Sequence, residues 1–415
     1  MLLVVPYFVL MVLVTLAFAL PCWRFIDGQN AGQQQRVNTL DGVRGYLALS
    51  VMVHHAVVAG FWIKTGEWTL PPDFFYSRLG SAGVSLFFMI TGYLFWGKLI
   101  RSQGRPDFIA LYLSRVFRIA PVYWIAVTAM VLVVMARSGF EIREPVGALL
   151  GKIGHWYGLG LLVNHDFNAY SNVWIVLAGV VWTLKYEWRF YFALLPASLF
   201  ARPRLHLAAA CVAFVGTLIW ATTSTAEAPP LWLLFTIGML VASIGVIGPV
   251  ARLPDATRSL AVIALIVLVF ALHALPYSRE QSLILGGVFF LLCNRTTLFG
   301  LLTSRPAVRL GHISYGIYLL QGFVFSVGFA DATVAHAILQ SAAAFWLATG
   351  IGMLTLCTVA AVIHVTVERP MIDVGHRLGL RVSARMPAPS ALALRAMRFT
   401  LDTARSGWLI RSSRR

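Results

Sequence analysis

Apolar runs of about one membrane thickness, set apart by short polar stretches, organise this chain. They fall at 1–22, 43–63, 80–98, 118–137, 174–200, 206–223, 230–248, 259–276, 282–300, 311–330 and 340–366. A helix that crosses a bilayer needs about 20 predominantly apolar residues, so the pattern predicts eleven spans. The stretch 146–163 is different: it carries Lys152, His155 and five glycines, and reads as interfacial or re-entrant. The first run is longer than the apolar core of a signal peptide and lacks a basic leader, so it reads as a retained helix. The expected fold is all-α: a polytopic membrane bundle of about ten core transmembrane helices plus one extra N-terminal helix.

Composition narrows the class. The 415 residues are 59% hydrophobic and 12% charged, with a mean hydropathy of +0.78. A soluble domain is roughly 25% charged. That excludes a disordered chain, a disulfide scaffold and an ordinary cytosolic enzyme, and it leaves little length for an added soluble domain. Cys22, Cys211, Cys293 and Cys357 are scattered in apolar runs and have neither metal spacing nor the look of a disulfide framework.

The net charge of +17 could suggest nucleic acid, but its distribution points to membrane topology. Basic residues collect in loops that stay on the cytoplasmic side. The loop 98–118 holds Lys98, Arg101, Arg105, Arg115 and Arg118 against Asp107 alone. Alternation from that loop places the basic segments 201–205, 249–258 and 301–310 on the same side, with the N-terminus outside and the C-terminus cytoplasmic. Nine arginines lie between Arg377 and Arg415. The basic tail 376–415 reads either as an amphipathic surface helix drawn to anionic lipid or as a solvated segment.

Ionisable residues within spans are costly and therefore candidates for function. Arg44 stands at the cytoplasmic end of the second span. His55 follows eleven residues later, about 16 Å deeper at 1.5 Å per residue. His54 and His55 are adjacent and point to different faces, so at most one lines a given site. Glu187 lies at the middle of 174–200, flanked by Lys185 and Arg189. Residues two apart do not face each other on a helix, so Glu187 needs a partner on another helix, and His55 lies at the right depth. Arg115 and Arg118, three apart, share a helix face. They suit a polyphosphate, or are an ordinary basic flank.

Taken in order, these segments resemble the acyltransferase type 3 family of integral membrane O-acyltransferases. The resemblance runs over about 39–370. It rests on Leu40-Asp41-Gly42-Val43-Arg44-Gly45 leading to His55, on Gly83 to Leu94, on Arg115 and Arg118 as an RxxR element, and on Trp182-Thr183-Leu184 followed by Glu187, Phe190, Tyr191 and Pro196. It continues with Gly311 to Leu319, which includes Tyr315, and closes with Glu368-Arg369-Pro370. One departure stands out: Gln321 occupies about the place where the family usually has a His.

The resemblance implies acyl transfer, by default of acetyl, from cytoplasmic acyl-CoA to a hydroxyl of a glycan or lipid-linked saccharide in a bacterial inner (plasma) membrane. It implies acyl-CoA as co-substrate, no permanently bound cofactor and no metal. His55 would be the general base and Glu187 its orienting partner. Arg44, Arg115 and Arg118 would hold the donor phosphates. Trp182, Tyr191, Tyr315 and Glu368 would be structural or line the site, with Glu368 pairing with Arg44 or an arginine of 115–118. From the residues alone, a proton-coupled secondary transporter using His55 and Glu187 stays open, as does a lipid-linked-sugar glycosyltransferase. The expected division is an extra helix over 1–23, the membrane domain over 39–370 and the tail over 376–415.

Overall fold

The computed structural model describes residues 4–27, 38–226, 228–248, 253–272 and 275–385. Among them there is no strand. Fifteen α-helices follow one another: α1 Val5–Ala19, α2 Asn38–Thr65, α3 Phe74–Arg101, α4 Phe108–Arg137, α5 Val146–Trp156, α6 Trp182–Ala197, α7 His206–Thr223, α8 Ala228–Ile247, α9 Asp255–Ala271, α10 Arg279–Cys293, α11 Arg305–His312, α12 Ser314–Gly328, α13 Ala332–Leu339, α14 Ala342–Ile363 and α15 Arg369–Arg385. The protein is an all-α polytopic helical bundle.

Among the described residues, six helical stretches are long and apolar enough to cross a membrane, or seven if α11 and α12 count as one bent span. That is fewer than the eleven expected, for local reasons. The first run yields 15 residues of helix in α1, and α9 and α10 have 17 and 15 residues. The run 174–200 does not form one helix. A 3₁₀ turn over Val173–Leu177 stops at Ala178 and Gly179, both with positive φ, and α6 starts only at Trp182. The run 311–330 begins in a 68° bend between α11 and α12. The last span is longer than expected, because α14 runs through a π-helical turn, His364–Glu368, into α15. Pro370 explains that turn: it has no N–H for the carbonyl four residues back, and its ring crowds that carbonyl. The stretch 146–163 forms the short α5 and a set of turns. The basic tail is described only as far as Arg385, within α15. Residues 386–415 lie outside the described residues.

Two helix crossings are set by missing side chains. Gly92 of α3 faces the Phe235 carbonyl of α8, where an added Cβ would lie 2.2 Å from the oxygen; Gly238 of α8 faces the Met89 carbonyl at 2.1 Å. Small residues let backbones approach in this way in lipid, where apolar surface alone does not drive association. At the second crossing, Gly42 and Gly45 of α2 lie against Leu302 and Leu310, and Gly311 of α11 lies against the Asp41 carbonyl.

Arg309 secures the N-terminal hairpin to this frame. Its guanidinium donates to both Asp27 carboxylate oxygens (2.8 and 2.7 Å) and to the carbonyls of Phe18 (2.8 Å) and Leu20 (3.1 Å). The buried arginine is thereby paired with a fork-shaped partner, and it holds Asp27 below the usual carboxylate range.

Gly92→Ala and Gly238→Ala should each destabilise the bundle by about 1–3 kcal/mol through overpacking. The double variant should cost less than the two together, because one displacement opens both contacts. Thermal unfolding of the purified single and double variants checks this, and strict additivity would count against a shared crossing.

Candidate functional site

The charged half of the site gathers at the Arg44 end of α2. Arg44 is 3.7 Å from Asp41, one turn before it. α4 brings Arg115 and Arg118, also one turn apart. Arg115 lies over the Phe95 ring, 4.9 Å from its centroid, and beside Tyr191. Arg118 is 3.9 Å from the buried carboxylate of Glu368, which also accepts from His364 Nδ1 at 2.8 Å. The π turn supplies both His364 and Glu368 on one face. α6 adds Glu187, whose Oε2 accepts from the Tyr191 hydroxyl at 3.0 Å. Two polar atoms here are buried without a hydrogen-bond partner, Arg115 Nε and Glu368 Oε1. Three half-buried arginines thus converge from two helices, held by carboxylates from three segments.

The second half lies further along α2. The two adjacent histidines divide in function. His54 is buried; its Nδ1 donates to the Tyr76 carbonyl at 2.7 Å, and its ring packs where a Cβ on Gly80 would sit. That is a structural histidine. His55 is half-buried, and its Nδ1 lies 3.2 Å from Gln321 Oε1. Gln321 is fully buried, and its Nε2 donates to the Tyr318 carbonyl at 2.7 Å. That second bond fixes which end of the amide faces the ring. An amide oxygen only accepts, so His55 carries its proton on Nδ1 and keeps a basic lone pair on Nε2.

One edge of α12 joins the two halves. Tyr315, Tyr318 and Gln321 are three residues apart and share a face. The Tyr315 hydroxyl donates to the Ile119 carbonyl, next to Arg118, at 2.9 Å. The Tyr318 hydroxyl reaches Thr183 Oγ1 of α6 at 3.2 Å. Gln321 ends the row at His55. Six residues of helix span about 9 Å, so two hydroxyls and an amide form a row along one helix edge between the arginine cluster and the imidazole. α12 is also held close from behind, since a Cβ on Gly322 would lie 2.4 Å from the Val176 carbonyl.

This placement corrects one expectation. Glu187 does not meet His55: its hydrogen bond comes from Tyr191, and the charges it feels are those of Arg115, Arg118 and Arg44. His55 is held by Gln321 instead. The reason lies in the break at 178–181, which starts α6 late and leaves Glu187 about one and a half turns in from its beginning, on the arginine side. The two groups therefore do not form an adjacent relay pair. Trp182 stands apart as well, 39% exposed and edge-on to Phe88, Tyr186 and Tyr277. Lys185 and Arg189 are exposed. Glu368 pairs with Arg118. Sequence reasoning missed the role of Gln321, although it was visible as a lone amide in an apolar helix. It also missed His364, one turn before Glu368. Among the described residues, no three His, Cys, Asp or Glu side chains are grouped to hold a metal.

A family model described as an acyltransferase domain, type 3, matches residues 37–362. The chain is also similar to the exopolysaccharide production protein ExoZ of Rhizobium meliloti (strain 1021), at 30% identity over 271 residues, which cover 60% of this chain and 78% of that protein. No solved structure matches.

The ring of His55 offers a direct test. In ¹⁵N-histidine-labelled protein, His55 should show a protonated Nδ1 and an unprotonated Nε2. Gln321→Leu should return it to the Nε2–H form that free imidazoles favour. An unchanged tautomer in that variant would show that the amide does not set it.

Proposed function

Since the chain belongs to the acyltransferase type 3 family, we propose that it moves an acyl group, acetyl by default, from acyl-CoA to a hydroxyl of a glycan. The acceptor is an extracytoplasmic polysaccharide or its lipid-linked precursor, a reading that the likeness to an exopolysaccharide production protein supports. The observation that carries the proposal is the polar edge Tyr315–Tyr318–Gln321, which links a phosphate-type arginine cluster to an imidazole with a free Nε2.

A CoA thioester has two recognition demands. Its phosphates need cations, and its thioester lies at the far end of an extended pantetheine arm. Arg44, Arg115 and Arg118 meet the first demand, because guanidinium grips phosphate bidentately. The distance of about three helical turns from Arg44 to His55 meets the second. Glu187 acts on the donor side: through Tyr191 it holds the environment of Arg115 in place. Glu368 does the same for Arg118.

A sugar hydroxyl is a weak nucleophile and needs a base. His55 Nε2 takes its proton as the oxygen attacks the thioester carbonyl. The new C–O bond forms a tetrahedral intermediate. Its collapse breaks the C–S bond, and the imidazolium returns its proton to the departing thiolate. The products are the O-acyl glycan and free CoA, and His55 ends neutral. Gln321 carries no charge, so it does not stabilise the imidazolium as a carboxylate would. That keeps the proton easy to return.

In this reading the Arg44 end of α2 faces the cytoplasm, where acyl-CoA is found, and the Thr65 end faces out. The basic segments at 98–118, 201–205 and 301–310 support that orientation through the positive-inside rule. The N-terminus then lies outside and the C-terminus in the cytoplasm of a bacterial plasma membrane.

His55→Ala should lower glycan-dependent CoA release from acetyl-CoA by about 10²- to 10⁴-fold, the range of general acid–base catalysis, while the purified protein still binds CoA. Arg115→Ala and Glu187→Gln should instead raise the KM for acetyl-CoA, with a smaller change in kcat. Turnover with the purified chain in nanodiscs and a pool of cell-envelope glycans measures all three. Full activity in His55→Ala, or no CoA binding by folded wild type, would sink the assignment.

A further inference from the structure

Beyond the donor and the base, three tryptophans cluster on the Thr65 side of His55, with Trp68 next to the imidazole. The Trp68 ring lies against the imidazole with centroids 6.4 Å apart and planes 25° from parallel. Trp62 meets Trp68 edge-to-face at 5.8 Å, and Trp174 meets it at 6.0 Å and 86°. They come from three places: the end of α2, the loop after it, and the 3₁₀ turn that interrupts the expected span. The position of Trp174 is built, because its ring lies over Gly179, where a Cβ would approach to 3.1 Å and where φ is +70°. Trp62 and Trp68 are half-buried, and Trp174 is 38% exposed.

An interfacial tryptophan belt is the plain alternative, since indoles concentrate at membrane surfaces. One feature sets this group apart: the rings form a connected set beside the base, with Trp62 and Trp174 each against Trp68 and Trp68 against His55. None of the three indole N–H groups donates among the described hydrogen bonds. Partly exposed indole rings with uncommitted N–H donors thus lie next to the imidazole.

A pyranose ring fits that chemistry. One of its faces presents C–H groups that pack on an electron-rich indole face, while its hydroxyls project sideways as hydrogen-bonding groups. We infer that Trp62, Trp68 and Trp174 form a carbohydrate cradle that seats one sugar of the acceptor with a hydroxyl at His55 Nε2. This rests on the acyl-transfer reading above and names the residues that would recognise its acceptor.

The test uses the full-length chain in nanodiscs, with radiolabelled acetyl-CoA and with cellotetraose and laminaritetraose as probe glycans. Trp68→Ala should raise the KM for the glycan about three- to tenfold, as expected for loss of an aromatic contact, and leave the KM for acetyl-CoA unchanged. Trp68→Phe should recover most of the loss, and Trp174→Ala should act in the same direction. An unchanged glycan KM in both alanine variants would overturn the cradle. So would an equal rise in both KM values, which would mark a packing role. Failure of the acyl-transfer reading looks different: wild type then releases no CoA with either glycan. In that case intrinsic tryptophan fluorescence decides. Saturable quenching by cellotetraose that Trp68→Ala abolishes would support the cradle, and no saturable change in wild type would overturn it.

Discussion

The close approach of α2 to α11 and α12 is the constraint on which the site depends. At Gly45 and Gly311 the backbones of α2 and α11 come nearer than any Cβ would allow, and Gly42 does the same against Leu302 just before α11. The bend of 68° after α11 then turns α12 alongside the remainder of α2. Only in that register does an amide on α12 come level with an imidazole on α2. Lipid supplies no hydrophobic force between helices, so this contact has to be won by van der Waals packing and by polar groups finding each other. The glycines allow the first, and Gln321 with His55 supplies the second.

The same logic governs the charges. An arginine or a carboxylate inside a membrane protein is tolerated when it is paired or faces the bundle interior. Arg44, Arg115 and Arg118 are opposed by Asp41, Glu187 and Glu368, so the cluster is formally balanced before any ligand arrives. Its pairs are long, 3.7 Å for Arg44–Asp41 and 3.9 Å for Arg118–Glu368. Together with the unpartnered Arg115 Nε, this leaves guanidinium donors of the cluster uncommitted. Arg309 is the contrast: its short bonds to Asp27 and to two carbonyls use its donors for architecture.

Much of this was legible in the residues. The apolar runs identified the helical class, and the order of Arg44, His55, Arg115, Arg118, Glu187 and Glu368 pointed to one family. The count of spans was less legible, because hydropathy does not register where φ turns positive. Ala178 and the bend at Ile313 break runs that read as continuous. The partner of His55 was also missed. Equal depth along two helices does not establish contact, since rotation about each axis decides which side chains meet. Glu187 was matched to His55 by depth, but its helix starts late and turns it to the arginines. Gln321 drew notice as a departure from the family pattern, and only its geometry revealed that it holds the imidazole.

The segment between α4 and α6 carries a further consequence. It has little regular structure, yet it is tied down. Glu144 accepts from the Asn168 N–H and from Lys152, the Asn168 side chain bonds Arg143 N–H and the Glu141 carbonyl, and the Asp166 carboxylate caps the N–H groups of Asn172 and Val173. Phe167, Val173 and Leu177 are buried beneath it. A surface made from such a segment has already lost its conformational freedom during folding. When a flexible polymer settles on it, the entropy given up is the polymer's alone. Such a surface can capture a ligand briefly and release it without any part of the protein refolding.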